Sequence, residues 1–353
     1  MTRPAPAPES EPEPDDAWSA LDLAEGFQLG HAVATLHDLG VLGSLARPRT
    51  VAAVARSHGL DPGLLGGVLA YVAARTDLVA RRGTRFVAAA GYTPAARYLI
   101  DLYTGGFGPN ATRLASVLRA PDRAHAMVDR PRHARAFAAV GGHTLGAMPG
   151  LVRQLGAGGV LDLGCGTAAL LVALAADDPG FAGWGVEHNP AMRRTARARV
   201  RAAGLGRRVR ILAGDITALA AAVPDAVAAE IRTVTMCDVA NELFHAGPAG
   251  FVTWLRTASA RLPGRLLIVS DYYGRLGQPG PPHRETLLQD YVQVISGQGV
   301  PPADVRAWQA IYRRAGGRLL HAIEDRATTR FIHVARLAAP RQPARRPRAK
   351  LGG

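Results

Sequence analysis

The sequence predicts an α/β protein: a mostly parallel sheet flanked by helices, closed by a reversed C-terminal hairpin and preceded by a mainly α domain. Three observations predict it. From residue 159 onward, short apolar strand-like runs alternate with helix-like ones. The last two strand-like runs follow each other with no helix between them. The first hundred residues carry helical spacing that ends in one short hairpin pattern. At 353 residues the chain has room for two domains, since single cores rarely grow much beyond ~250–300 residues.

Trp18 to Leu45 reads as helix, with Phe27, Leu29, Ala32, Leu36, Leu39 and Leu42 at helical spacing. Thr50 is placed to cap a second helix that runs to His58, and Asp61-Pro62 to cap and open a third, Gly63 to Arg75. Leu78 to Val87, with Arg82-Gly83 in its middle, reads as two short strands around a turn. Three helices and a hairpin are the order of a winged helix. A DNA-reading third helix needs basic and polar side chains, whereas this one carries Leu64, Leu65, Val68, Leu69, Tyr71 and Val72. A dimerisation role is therefore favoured over DNA reading. A linker region with helical pattern near Arg132 to Val140 follows. Strands are then expected over Gly159–Leu163, Phe181–Glu187, Val209–Leu212, Thr233–Cys237, Arg265–Ser270, Arg318–Ala322 and Thr329–Ala335. Helices are expected over Ala168–Ala176, Ala191–Ala203 and Ala249–Arg261. The organisation this implies is a disordered leader over 1–17, a winged-helix-like domain over 18–100, a helical linker over 101–155, an α/β domain over 156–338 and a basic disordered tail over 339–353.

Composition narrows the function classes. Hydrophobic residues make up 48% of the chain and charged ones 20%, which suits a globular protein with a filled core. No run of ~18 apolar residues indicates a membrane span, and the Pro- and acid-rich start is no secretory signal. Cys165 and Cys237 sit in apolar strand contexts, which points to a reduced, cytoplasmic protein. The formal charge of +14 is carried almost wholly by arginine, because Lys350 is the only lysine. Part of it sits in the Pro-rich C-terminal tail. Patch location rather than total charge argues for a polyanionic partner, so nucleic acid is not expected.

The chemistry is concentrated at the ends of the strands. In Val160-Leu161-Asp162-Leu163-Gly164-Cys165-Gly166-Thr167 a buried strand runs into a glycine-rich turn and a helix begins at once. Gly164 and Gly166 remove side chains where the backbone turns sharply and a ligand can approach closely. A third glycine at position 169 is missing, replaced by Ala169, which leaves a dinucleotide turn possible. Asp162 argues the other way, since an acid there accepts a hydrogen bond from an ammonium group and repels a pyrophosphate. Glu187, 25 residues on at the end of the next strand, can accept both hydroxyls of a ribose. Asp215, in Gly214-Asp215-Ile216 after the third strand, can bind an adenine amino group while Ile216 packs on the ring. Asp238, directly after the fourth strand, is counted with them. One acid each for an amino-acid moiety, a ribose and a base describe a pocket for an adenosyl amino acid.

On these motifs the chain resembles the class I S-adenosylmethionine-dependent methyltransferases, with their Rossmann-like sheet and reversed hairpin. Within these it is similar to the O-methyltransferases of secondary metabolism that carry an N-terminal winged-helix dimerisation domain. The resemblance covers roughly Trp18 to Leu337. It implies S-adenosyl-L-methionine as cofactor, held by Asp162, Gly164, Gly166, Glu187, Asp215 and Ile216. It also implies a homodimer and a small-molecule or peptide acceptor from a biosynthetic pathway. One departure concerns the proton acceptor. Those enzymes place a His after the fourth strand, but here the segment reads Cys237-Asp238-Val239-Ala240-Asn241-Glu242-Leu243-Phe244-His245. Counting from the strand start puts Glu242 at that place; counting back from the next helix gives Phe244, beside His245. A histidine can accept a proton near neutrality without tuning, whereas a carboxylate needs burial to raise its pKa; His245 and Glu242 both stay open as catalytic base. O-methylation is the leading expectation. C- or N-methylation of a 2-oxo acid, amino acid or peptide amine is the alternative, and a non-catalytic winged-helix regulator the remote one. His283 and His245 have no fixed ligand spacing, so no metal is expected.

Overall fold

The computed structural model describes residues 18–140, 146–156, 158–279, 283–325 and 328–339. The leader over 1–17 and the tail beyond residue 339 lie outside the described residues. The chain divides into two compact units, one up to Ala96 and the other from Arg97.

In the first unit, α1 (Ala20–Asp38) starts with a capping box in which Ser19 and Asp22 satisfy each other's backbone N–H. The spacing predicts one helix from Trp18 to Leu45, but the chain breaks at Gly40, whose φ of +73° cannot continue a right-handed helix. A separate α2 (Val41–Ser44) follows. Strand β1 (Arg49–Thr50) leads to α3 (Val51–His58), whose cap Thr50 accepts from Ala53 N at 3.3 Å. Asp61 caps α4 (Pro62–Arg75) by accepting from Leu64 N at 2.8 Å, with Pro62 at the first helical position. The expected hairpin is β2 (Val79–Arg82) and β3 (Arg85–Ala88), turning at Gly83 with φ +60°. Strand β1 adds to β3, giving a three-stranded sheet instead of a two-stranded one.

Helix α5 (Pro94–Leu99) is followed by a π-helical stretch, Ile100–Gly106. Short helices α6 (Gly108–Thr112) and α7 (Leu114–Arg119) precede α8 (Arg130–Val140) and α9 (Met148–Gln154). The alternation then sets in as β4 (Val160–Leu163), α10 (Ala169–Asp177), β5 (Gly183–Glu187), α11 (Pro190–Ala202) and β6 (Val209–Ala213). It continues through α12 (Leu219–Ala222), α13 (Asp225–Glu230), β7 (Thr233–Cys237), α14 (Gly247–Arg261) and β8 (Leu266–Tyr272). Besides α12 and α13, two longer helices that the periodicity does not announce, α15 (Arg284–Ile295) and α16 (Val305–Arg314), come before the final strands β9 (Arg318–Asp325) and β10 (Arg330–Arg336).

The seven strands lie in the order β6-β5-β4-β7-β8-β10-β9. Strands β4 to β8 are parallel, and β10 pairs antiparallel with both β8 and β9. Parallel strands covered on both faces need apolar side chains at every position, and β4 is buried along its whole length, Asp162 included. On one face the core gathers Phe244, Phe251, Trp254, Trp308 and Tyr312. Helix α16 escapes prediction because its apolar contribution is narrow, only Trp308, Ile311 and Tyr312 being buried among arginines.

Candidate active site

Strand β4 ends in a turn built on two left-handed glycines, Gly164 (φ +65°) and Gly166 (φ +55°). The third left-handed residue is Ala168 (φ +59°), directly before α10, so the position that favours glycine is 168 and not 169. Asp162 lies inside the sheet and accepts a hydrogen bond of 2.7 Å from Thr235 Oγ1 on β7. Burial pushes its pKa up to about 7, with nearby Glu187 adding to the rise and the Thr235 bond opposing it.

Glu187 closes β5 and is gripped from both sides. Its Oε2 accepts from Gly166 N at 3.1 Å and its Oε1 from Asn189 N at 2.7 Å. These bonds tie the glycine turn after β4 to the helix start after β5. Asn189 in turn caps α11, accepting from Ala191 N and Met192 N. Asp215, exposed after β6, accepts from Thr217 N and Thr217 Oγ1, both at 2.8 Å. The neighbouring Ile216 is buried, its carbonyl held by Trp254 Nε1 at 2.8 Å.

After β7 the backbone turns at Asp238 (φ +53°), whose carboxylate is ion-paired with Arg330 on β10. A short 3₁₀ helix, Ala240–Phe244, follows. Three residues per turn eclipse side chains at i and i+3, which puts Glu242 and His245 on the same side. Ala240, Leu243 and Phe244 go into the core. The two candidate bases differ in surroundings. His245 is exposed, while burial raises the Glu242 pKa above the ordinary glutamate range, against the charges of Arg130 and His188. Asp271 on β8 anchors the turn, its Oδ2 accepting from Asn241 N at 3.2 Å.

These strand ends enclose a cavity of about 400 Å³. Asp162, Gly164, Gly166, Glu187, Asp215, Ile216, Asp238, Glu242 and His245 all line it. Its other walls were not legible as motifs: Arg130, His133 and Phe137 from α8, Met192 from α11, and Gln298 from the loop after α15. A second cavity of about 170 Å³ adjoins it, and Asp238, Glu242, His133, Phe137 and Gln298 line both. Nothing in the sequence announced this chamber, because its wall is assembled from segments near residues 100, 135, 240, 290 and 330. His283 lies elsewhere in role. It caps α15, its Nδ1 accepting from Thr286 N at 3.3 Å. Among the described residues no group of three or more His, Cys, Asp or Glu side chains is arranged to hold a metal ion.

Comparison with known proteins bears on the domain and the fold. Residues 160–256 match a family described as "Methyltransferase domain", so the chain carries that domain. The release factor glutamine methyltransferase of Rhodospirillum rubrum is 38% identical over 92 residues, which are 26% of this chain and 28% of that protein. The chain therefore matches less than a third of that relative's length. The solved structure of mitomycin 7-O-methyltransferase is similar over 90% of this chain and 96% of its own, at 21% identity and a TM-score of 0.69. A structure described as PigF with SAH is similar over 90% and 98%, at 20% identity and a TM-score of 0.68. At these identities the likeness establishes the fold, that of the class I methyltransferases, from the N-terminal helices to the reversed hairpin.

The glycine turn makes a separable steric prediction. A Cβ at Gly164 would lie 2.5 Å from Val239 Cγ2, whereas one at Gly166 would meet nothing closer than Met192 Cε at 3.6 Å. Both substitutions to alanine carry the left-handed backbone cost of about 1–2 kcal/mol. Gly164→Ala adds overpacking of about 1–3 kcal/mol, so it is expected to lower unfolding free energy clearly more than Gly166→Ala in denaturant titration. Equal losses would show that Val239 yields freely.

Proposed function

From a methyltransferase domain on this fold, we propose that the chain transfers the methyl group of S-adenosyl-L-methionine to a hydroxyl of a small secondary-metabolite acceptor. The observation that carries this reading is the convergence of nine residues, from four strand ends, on one cavity. The chain's residues fit the cofactor. Asp162 is a buried acid with no cationic partner beside it, which suits an ammonium group. Glu187 spends one lone pair of each oxygen on backbone N–H groups and keeps others for the two hydroxyls of a ribose. Asp215 and Ile216 stand where an adenine would lie, and Gly164 and Gly166 leave the backbone bare against the ligand.

When bound, the cofactor supplies an activated sulfonium methyl. The chain's own work is positioning and proton acceptance. Glu242 lines both cavities, so an acceptor hydroxyl presented from the smaller one would come within reach of its carboxylate. Glu242 would take the proton that the acceptor hydroxyl gives up, leaving its oxygen free for the methyl group that the bound cofactor would supply. Burial keeps Glu242 basic enough for that transfer. The exposed His245 is the weaker candidate, and it lines only the larger cavity.

A homodimer belongs to the same reading. Large apolar side chains lie exposed on α1 and α4, among them Leu21, Phe27, Leu64 and Tyr71, and the two helices are joined on that side by the Glu25–Arg75 ion pair. A patch of this kind on one small unit calls for a partner surface, a second copy being the simplest. No helix among the described residues is long and apolar enough to cross a membrane. With two free, largely buried thiols, a reduced cytoplasmic setting fits.

Asp162→Asn and Glu187→Gln are each expected to weaken S-adenosylhomocysteine binding by about 1.5–3 kcal/mol in calorimetry. The pH dependence has a definite sign. The empty protein retains the Asp162 proton up to about pH 7, while a bound ammonium favours the carboxylate. Below that pH binding must expel a proton, so affinity falls as pH drops through 7, and Asp162→Asn flattens the curve. Unchanged affinity in both variants would remove the cofactor assignment.

For the base, Glu242→Gln is expected to cut turnover by ~10²–10⁴-fold with S-adenosylhomocysteine affinity unchanged. The acid limb of wild-type turnover should lie above the ordinary glutamate value of about 4.3, with activity lost as pH falls through it, and should vanish in the variant. Loss of turnover in His245→Ala, with Glu242→Gln active, transfers the role to His245.

For assembly, light scattering at micromolar concentration should report twice the chain mass, and the double variant Phe27→Asp with Leu64→Asp should report the chain mass with its helical signal retained. A monomeric wild type overturns the dimer.

A further inference from the structure

The smaller cavity has a wall chemistry of its own. Its lining includes four carboxylates, Asp238, Glu242, Asp271 and Glu285, and one guanidinium, Arg330. That guanidinium is already ion-paired with Asp238. His133 adds no charge, because burial depresses its pKa to about 3. Asp271 has its pKa raised to about 7 by burial and by the charge of Asp238. Even with Asp271 protonated, Glu242 and Glu285 are left without a cation on the wall.

The neutral groups lean the same way. The Tyr103 hydroxyl donates to Gln289 Oε1 at 2.8 Å, and the Thr286 and Thr329 hydroxyls are bonded to each other at 2.7 Å. Two amide oxygens, Asn241 Oδ1 and Gln293 Oε1, are buried with no hydrogen-bond partner, in residues only 5% and 3% exposed. A buried acceptor left unmade costs about 1–3 kcal/mol, and a ligand that donates hydrogen bonds removes that cost. Two acceptor oxygens and negative charge are therefore left over on the wall, beside one unpartnered hydroxyl, that of Tyr272.

We propose that the acceptor carries a protonated amine, held at the Glu285 end of this cavity, with its hydroxyl at the Glu242 end. The proposal rests on the methyl-transfer reading of the same site and specifies its substrate class: a small amino-alcohol or aminophenol. The spatial order follows from the lining. Glu242 borders both cavities, whereas Glu285 borders only the smaller one. An arriving ammonium offsets the negative field that raises the Tyr98 and Tyr103 pKa values, to which burial contributes most and Glu285 adds.

Tyramine and tyrosol test this, since they share a phenol and differ in having an ammonium or a hydroxyl at the far end. Calorimetry on the full chain, with and without S-adenosylhomocysteine, should find tyramine bound about tenfold more tightly than tyrosol, the scale of one charge-assisted hydrogen bond. Glu285→Gln, a change at an exposed position, should bring that ratio to within about twofold by weakening tyramine alone. Equal affinities, tighter tyrosol, no tyramine binding up to millimolar concentration, or a ratio unaffected by Glu285→Gln each overturn the proposal. Failure of S-adenosylhomocysteine to bind counts against the methyl-transfer reading instead, and the tyramine-to-tyrosol ratio remains readable without it.

Discussion

The site depends on one constraint, the reversal of strand order at β4. From β4 the chain builds outward through β5 to β6, then returns to place β7 on the opposite side of β4. The crossovers after β4 and after β7 must leave in opposite directions, so a crevice opens beyond their carboxyl ends. The residues of the larger cavity that come from between β4 and β7 lie in such strand ends, in the turns just after them, or in the first turns of α10 and α11. The Glu187 carboxylate then fixes the crevice width. It bonds to Gly166 N after β4 and to Asn189 N after β5, so two turns that would otherwise move separately are clamped together.

Electrostatics at the site run against folding stability. An isolated carboxylate in a low-dielectric interior is costly, and a protein that keeps one either pairs it or lets it take up a proton. Both solutions occur here. Asp238 is paired with Arg330, whereas Asp162, Glu242 and Asp271 are shifted upward, in each case chiefly by burial. An acid whose pKa is raised on folding binds more protons in the native state than in the unfolded one. Stability therefore declines as pH rises from the unfolded value toward the raised one. A core built for stability alone would replace these acids with apolar groups. Their retention in one crevice marks them as serving the ligands that enter it.

What was legible in the sequence follows from where the signal lies. Asp162, Gly164, Gly166 and Glu187 could be read because a parallel strand that ends in a turn is a local pattern, and function sits at the turn. The order of elements from Gly159 to Leu212 was legible for the same reason, whereas α12 and α13 were not expected. Glu242 could be located by counting, though its burial could not, since that depends on α8 and on the loop after α15. The smaller cavity was invisible: Tyr103, Glu285, Gln293 and Arg330 are far apart in the chain and belong to no short motif. In α15 and α16 the apolar residues are interleaved with charged and amide ones, and the missed left-handed residue, Ala168, has a side chain that gives no warning of its backbone.

The placement of Glu242 is decided by apolar packing more than by any polar contact. Phe244, two residues on, is wedged between Phe251 on α14 and Trp308 on α16, with ring centroids 5.1 and 5.2 Å away. Its backbone is pressed as closely by Gly299, where a Cβ would lie 1.9 Å from the Phe244 carbonyl oxygen. A 3₁₀ turn pinned by Leu243 and Phe244 on one side must present Glu242 on the other. The backbone of Asn241 is then held from β8 by Asp271. So α16, which reaches neither cavity, sets the direction of the carboxylate through Trp308, and Gly299 does the same through the absence of a side chain. Gln298, beside that glycine, is carried along the same tight passage into both cavities. The group proposed to take the proton and the wall proposed to recognise the acceptor are thus positioned by one packed cluster. An acceptor that shifts the loop after α15 must disturb Glu242 as well, which couples recognition to proton transfer without any residue linking them directly.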